Sequence, residues 1–385
     1  MSDAAAVLQR LASSAPAPLQ KYFEEFHTLY EQKLWHQLTL RVQAFFAEPT
    51  AKPLLPAVFT QFVGGWHKKM NSLVFVKLSV DASRQMPDAE GMALMESIVA
   101  EVKLLPKPEG PVLLVLSSME LAQYSLKRSD VAATKAAIES CAGAVESFVG
   151  VDPSIAAAYY RVSAEYDKVT LNYASFYKNM LLYLTCVKIE EMELAEAQQR
   201  AHDLCLAALL GEKIYNFGEL LCHPILAVLR ATSVSYLHEA LLAFNAGDHE
   251  AFDKLLPAIS THEALAPHIE MLRQKLCLMS LVEVVFCQLK SSRVLPFRTV
   301  SQATRVPLEE VEFLLMKALS FSLIRGFINE PEACFTIEWV QPRFLDLQQI
   351  SELRAGIHAW RGRVKETCGL IHSMVPEQLA AISST

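Results

Sequence analysis

Apolar side chains recur every three or four positions along most of this chain, as in Leu34, Leu38, Val42, Phe45 and Phe46. That spacing predicts amphipathic helices. From about Leu19 to Leu184 the pattern divides into consecutive segments of roughly 12 to 20 residues, a common helix length. The breaks fall at Pro49 and Pro53, at Pro87, at Pro106 to Pro111, and at Asp152-Pro153. Helices paired by short turns stack into a solenoid, although no strict repeat consensus is visible. A second helical block runs from about Asn172 to Lys290, with Leu194, Ala197, Ala201, Leu204 and Ala208 on one face. Within it, Asn245 to Gly247 forms a turn and Asp248 caps the helix that follows. Ile269, Leu272, Leu276, Met279, Val282, Phe286 and Leu289 then mark one long helix without internal Pro or Gly.

The period changes after Ser291. Val300 to Thr304 reads as a short helix, Arg305 to Pro307 as a turn and Leu308 to Leu319 as a second helix. Leu323 to Ile328 and Cys334 to Trp339 alternate as two strands joined by a tip at Asn329 to Glu332. Helix, turn, helix, strand, wing, strand is the order of a winged helix. Beyond it, Ile350, Leu353, Ile357, Trp360, Val364, Ile371 and Met374 follow a heptad seam broken by Thr367, and Pro376 stops it. A single amphipathic helix after a completed domain needs another surface for that seam, and a bundle with partner helices supplies one.

Composition agrees with helices: Gly is only 13 of 385 residues, and 52% of the chain is hydrophobic. Lys plus Arg number 35 against 42 Asp plus Glu, a formal charge of −7 that gives no footprint for nucleic acid or an anionic membrane. Mean hydropathy is +0.22, yet no run approaches a membrane span, so subunit contacts are expected to bury the surplus. The stretch MSDAAAVLQRLASSAPAP lacks the layout of a signal peptide. The eight cysteines show no paired spacing and no Asn-x-Ser/Thr acceptor occurs, which fits a reducing cytoplasm or nucleus.

Five blocks resemble the PCI family, whose helical repeats lead into a winged helix: Lys33 to Leu40 (KLWHQLTL), Asn172 to Leu184 (NYASFYKNMLLYL), Phe217 to Leu226 (FGELLCHPIL), Val311 to Ser320 (VEFLLMKALS) and Trp339 to Ile350 (WVQPRFLDLQQI). FGELLCHPIL and WVQPRFLDLQQI carry the most specificity, and the block order extends over nearly the whole chain. The resemblance implies an all-α-dominated fold, a TPR-like/PCI solenoid followed by a winged helix with a small β-hairpin and a long C-terminal helix. It implies a flexible N-terminus (1–18), N-terminal repeats (19–171), a PCI domain (172–342, helical to 292 and winged helix from 293), a bundle helix (343–375) and a tail (376–385). It further implies a non-catalytic subunit of the proteasome regulatory-particle lid, partnered by neighbouring PCI subunits and their C-terminal helices. Other PCI assemblies, the signalosome or a translation initiation factor, are the alternative, as is a nucleic-acid adaptor working through the winged helix.

Contacts with partners are therefore expected at Ile350, Leu353, Ile357, Trp360, Val364, Ile371 and Met374 in the seam, and at Phe327, Phe335 and Ile337 in the hairpin. A short sheet leaves edge backbone groups that a neighbour can pair. Against duplex binding stand Glu309, Glu310 and Glu312 facing one Lys317 on the second winged-helix helix, with Glu330 and Glu332 in the wing. Arg298, Arg305, Arg325 and Arg343 could form a small basic patch nearby.

Catalytic, cofactor and metal residues are each read as none, and no small-molecule substrate is expected. His202 with Cys205, and Cys222 beside His223, are the nearest approach to a ligand set, without the second pair that zinc needs. His238-Glu239 and His262-Glu263 lack the second His of a metalloprotease helix, which is Leu242 or Ala266 here. No phosphate-cradling or nucleophile-elbow glycine pattern occurs, and Gly64-Gly65 reads as a helix end. Gly218 and Pro224 in FGELLCHPIL read as packing and first-turn residues.

Overall fold

The computed structural model describes residues 2–104, 109–147, 152–232, 234–288, 293–342 and 347–374. Part of the Pro106 to Pro111 break, residues 343–346 and the 376–385 tail lie outside the described residues. Two compact units result, Met1–Arg200 and Ala201–Thr385.

The first unit is a stack of helices: α1 (Ser2–Ser14), α2 (Ala17–Glu31), α3 (Trp35–Ala47), α4 (Leu55–Gln61), α5 (Ser72–Ser83), α6 (Asp88–Val102), α7 (Glu109–Lys127), α8 (Val131–Ser147), α9 (Pro153–Val169) and α10 (Tyr173–Cys186). α11 (Leu194–Leu210) follows, and its residues from Ala201 onward belong to the second unit. From α4 to α10 each helix packs on the next, as α1 does on α2 and α2 on α3, so neighbouring buried stripes meet. The core begins in an aromatic group: Phe23 and Phe45 meet edge to face at 5.5 Å, with Phe26 and Phe62 stacked at 6.0 Å. The flexible N-terminus expected for residues 1–18 is corrected, because Leu8 and Leu11 of α1 are 2% and 6% exposed within this core.

One turn geometry recurs between helices. At Ser129-Asp130, Leu171-Asn172 and Gly247-Asp248 the first residue is left-handed, with φ of 64°, 58° and 65°. The second residue's amide returns to the carbonyl five positions back, Asp130 to Ser125, Asn172 to Asp167 and Asp248 to Ala243. Its side chain then caps the next helix: Asp130 accepts from Ala133, Asn172 from Ser175, and Asp248 from Glu250 and Ala251. One dipeptide thus ends one helix and starts the next, which is how two antiparallel helices fit a short connection. At Asp152-Pro153 the break is a plain N-cap, with Asp152 accepting from Ser154 and from Lys77, whose hydrogen bond is the main cause that lowers that carboxyl to about 2.

The second unit adds α12 (Gly218–Cys222), α13 (Ser235–Ala246), α14 (His249–Thr261), α15 (Ile269–Gln288), β1 (Val294–Pro296), α16 (Phe297–Thr304), α17 (Val311–Ser320), β2 (Ile324–Asn329), β3 (Cys334–Val340) and α18 (Leu347–Met374). Gly247 has no substitute at the α13–α14 turn, since a Cβ there would lie 2.6 Å from Ser280 Cα of α15. The fold is an all-α-dominated helical-repeat solenoid leading into a winged helix. Its sheet has three antiparallel strands in the order β1-β3-β2, one more than the hairpin alone, because Val294–Pro296 pairs with Thr336, Phe335 and Cys334. Leu281 and Val285 of α15 join Val300, Leu315, Leu295 and Phe335 in one apolar core beneath it.

Candidate protein-interaction surface

α16 and α17 are joined through left-handed Arg305 (φ 56°) and Pro307, and α17 opens on a 3-10 turn at Leu308–Glu310. Val311, Leu315 and Ala318 point inward and are fully buried. The opposite face is not polar throughout: Leu308, Phe313 and Met316 are exposed, Phe313 at 67%. Beside them lies a groove of about 460 Å³ lined by Gln274, Cys277, Val306, Glu310, Phe313 and Lys317, with Lys317 Nζ donating to Gln274 Oε1 at 2.9 Å. The helical spacing that turns Val311, Leu314, Leu315 and Ala318 inward leaves Phe313 and Met316 among neither the core nor the expected contact residues. The signal was there, two large apolar side chains three positions apart on the face turned away from Val311 and Leu315.

β2 is an outer strand, paired with β3 on one side only. Its register slips between Arg325 and Gly326, where any Cβ at Gly326 would run into the Thr336 carbonyl. Phe327 stands opposite Thr336 and is 65% exposed, so it is available to a neighbour. Phe335 and Ile337 are corrected: they are 0% and 1% exposed. Side chains alternate across a strand, and these two share the face that α15 and α17 cover, leaving no surface for a partner.

The seam lies on α18, and from Ile350 to Ser373 every residue is exposed. Ile350, Leu353, Ile357, Trp360, Val364 and Ile371 range from 40% exposed at Val364 to 61% at Trp360. Leu370, left out of the seam as read from sequence, is open as well, at 64%. The side chain of Met374 lies outside the described residues. The exposed seam is thus a continuous apolar stripe along one helix.

Two of the four arginines of the expected basic patch are engaged by other side chains. Arg305 is engaged by Glu250 at 3.0 Å and Asp253 at 3.4 Å, and Arg325 lies over the Trp339 ring at 4.8 Å. Arg298 is exposed, and Arg343 lies outside the described residues. Among the described residues no three His, Cys, Asp or Glu side chains converge as metal ligands. Cys205 is buried, which pushes its thiol up to about 12, while Cys222 is exposed and His223 Nδ1 accepts from the Ile225 amide as a helix cap. No described helix is long and apolar enough to cross a membrane.

Comparison with known proteins places these surfaces in context. Residues 22–241 match the family model of PSD13 N-terminal repeats, and residues 253–339 match the PCI domain. The 26S proteasome regulatory subunit RPN9 of Saccharomyces cerevisiae is 33% identical over 373 residues, 94% of each chain. The 26S proteasome non-ATPase regulatory subunit 13 of Dictyostelium discoideum is 35% identical over 352 residues, covering 89% of this chain and 90% of that protein. Homolog B of the same subunit in Arabidopsis thaliana is 32% identical and covered end to end, against 98% of this chain. A more distant relative, eukaryotic translation initiation factor 3 subunit M of Coccidioides immitis, is 26% identical over 54% of this chain.

Proposed function

This chain belongs to the family of 26S proteasome non-ATPase regulatory subunit 13, and from that membership we propose that it is a non-catalytic scaffold of the proteasome regulatory-particle lid. The observation that carries the reading is correspondence over nearly the whole length with proteins named as proteasome regulatory subunits, whereas the initiation-factor relative covers about half. Residues 19–171 would hold position as repeats, 172–342 would dock against neighbouring PCI subunits, and 343–375 would enter a bundle of partner C-terminal helices. Two features support that division of labour: an outer strand carrying exposed Phe327, and a 28-residue helix whose apolar seam is open. A scaffold of this kind works by geometry, setting the positions of subunits that recognise and unfold ubiquitinated substrates, and it would act in cytoplasm and nucleus.

The test is co-purification of the tagged full-length chain under gentle salt, with partners identified by mass spectrometry. Near-stoichiometric recovery of proteasome regulatory subunits is expected. Recovery of initiation-factor subunits in their place would overturn the reading.

A further inference from the structure

Within the second unit, two histidines far apart in sequence meet ring to ring. His202 on α11 and His262, directly after α14, place their Nε2 atoms 3.2 Å apart, with ring centroids at 5.4 Å. A contact this short between two ring nitrogens requires one to donate and the other to accept. The direction follows from the third partner: His262 Nδ1 faces the Ala264 amide at 3.2 Å, and an N–H can only donate. Neutral His262 therefore carries its proton on Nε2 and gives it to a bare Nε2 on His202. The His202 proton is left on Nδ1, 3.6 Å from Asp203 Oδ1.

We propose that His202 and His262 form a proton-operated latch, closed while both rings are neutral, that holds the turn after α14 against α11 and opens when either ring gains a second proton. A doubly protonated His202 sets two N–H groups against each other at the contact. A doubly protonated His262 does the same at Ala264. Either event replaces an attraction with a donor-donor repulsion.

The groups that face the pair do not cancel this response. Glu263 in the turn favours a charged His262, Asp203 Oδ1 on α11 lies 3.6 Å from His202 Nδ1, and α13 contributes the Tyr236 ring, 6.5 Å from His262 and uncharged at neutral pH. Burial, aided by His202, outweighs Glu263 and holds His262 below the ordinary histidine range. A base held low in the folded state contributes stability that is present above its unfolded value, near 6.5, and lost as pH falls through the folded one. The turn itself is anchored by fully buried Leu265, whose amide bonds to the His262 carbonyl, so opening is confined to the segment around His262.

The test uses the full-length chain and two variants that keep the local geometry. His262→Asn retains an acceptor for the Ala264 amide and removes the titrating ring, and His202→Gln retains a polar partner. Between about pH 7.5 and about pH 5.5, amide-exchange protection at residues 262–266 should fall severalfold in the wild type, and much less in His262→Asn. Imidazole nitrogen NMR should show the His262 midpoint rising in His202→Gln. An equal loss of protection in both proteins, or a His262 midpoint unmoved by His202→Gln, would overturn the proposal. Should His262→Asn lose its far-ultraviolet dichroism at neutral pH, the His262 titration decides alone.

Discussion

Lys275 is 5% exposed and spends all three of its ammonium donors on one helix end, at 2.7, 3.0 and 2.9 Å from the carbonyls of Ala208, Leu209 and Gly211. The last carbonyls of a helix have no following turn to bond, so a buried end needs such a donor. Burial pulls the group down to about 7, while three acceptors can be filled only by a protonated amine. The rings of Tyr215 and Phe217 lie 5.8 and 5.3 Å from the ammonium, and Tyr215 stacks on Phe321 at 5.9 Å. The FGELLCHPIL block is therefore a packing element, with Phe217, Leu220 and Ile225 all at 0% exposure. Replacing Lys275 with Met keeps most of the stem and strips three buried carbonyls of their donor. The expected cost is about 3 kcal/mol or more of unfolding free energy, read from denaturant midpoints at neutral pH. A cost below about 1 kcal/mol would show that the helix end finds other partners.

Among the elements, α18 is where folding and the proposed assembly role can be tested apart. Ile357 and Trp360 are 57% and 61% exposed, so serine at both positions removes little that the free chain has buried. Association is different, because each large apolar side chain taken into a bundle is worth about 1.5 to 3 kcal/mol. The double variant Ile357→Ser with Trp360→Ser should keep the wild-type thermal midpoint within about 2 °C. Its incorporation into the regulatory particle should weaken on the order of a thousandfold. A clearly lowered midpoint with normal incorporation would place the seam against its own chain instead.

At the scale of the whole molecule, charge decides what the winged helix binds. The chain carries −7, the helix that would enter a major groove presents Glu309 and Glu310 with Phe313 and Met316, and Arg305 is already held by Glu250 and Asp253. Duplex affinity rests largely on neutralised phosphates and released counterions, and neither is available on this face. Binding to duplex DNA or RNA should be weaker than about 10 μM near 150 mM salt, without sequence preference, in a fluorescence-anisotropy titration. Submicromolar affinity with a steep salt slope would favour the adaptor reading over docking between proteins.

The sequence by itself determined what neighbouring residues decide among themselves. Helical spacing alone marks a long helix from Ile269 to Leu289 and a terminal seam from Ile350 to Met374, where the structure has helices at Ile269–Gln288 and Leu347–Met374, and an Asp after Gly announced the cap at Asp248. The order of helices and strands after Ser291 was enough for a winged helix. The same turn at Ser129-Asp130 and Leu171-Asn172 went unread, since neither Ser nor Leu advertises a left-handed backbone and tertiary packing has to offset its cost of about 1 to 2 kcal/mol. Only the tertiary structure decided the rest. Three residues at Val294–Pro296 become a strand because β3 arrives beside them, and Phe335 and Ile337 turn inward while Phe327 turns out because α15 and α17 cover one face of the sheet. A pleated strand states in its own sequence that its two faces differ, but which face meets water depends on what packs there from elsewhere in the chain. His202 with His262 and Lys275 with Ala208 obey the same limit: sixty residues or more separate the partners, and their meeting is a property of the packed helices that carry them.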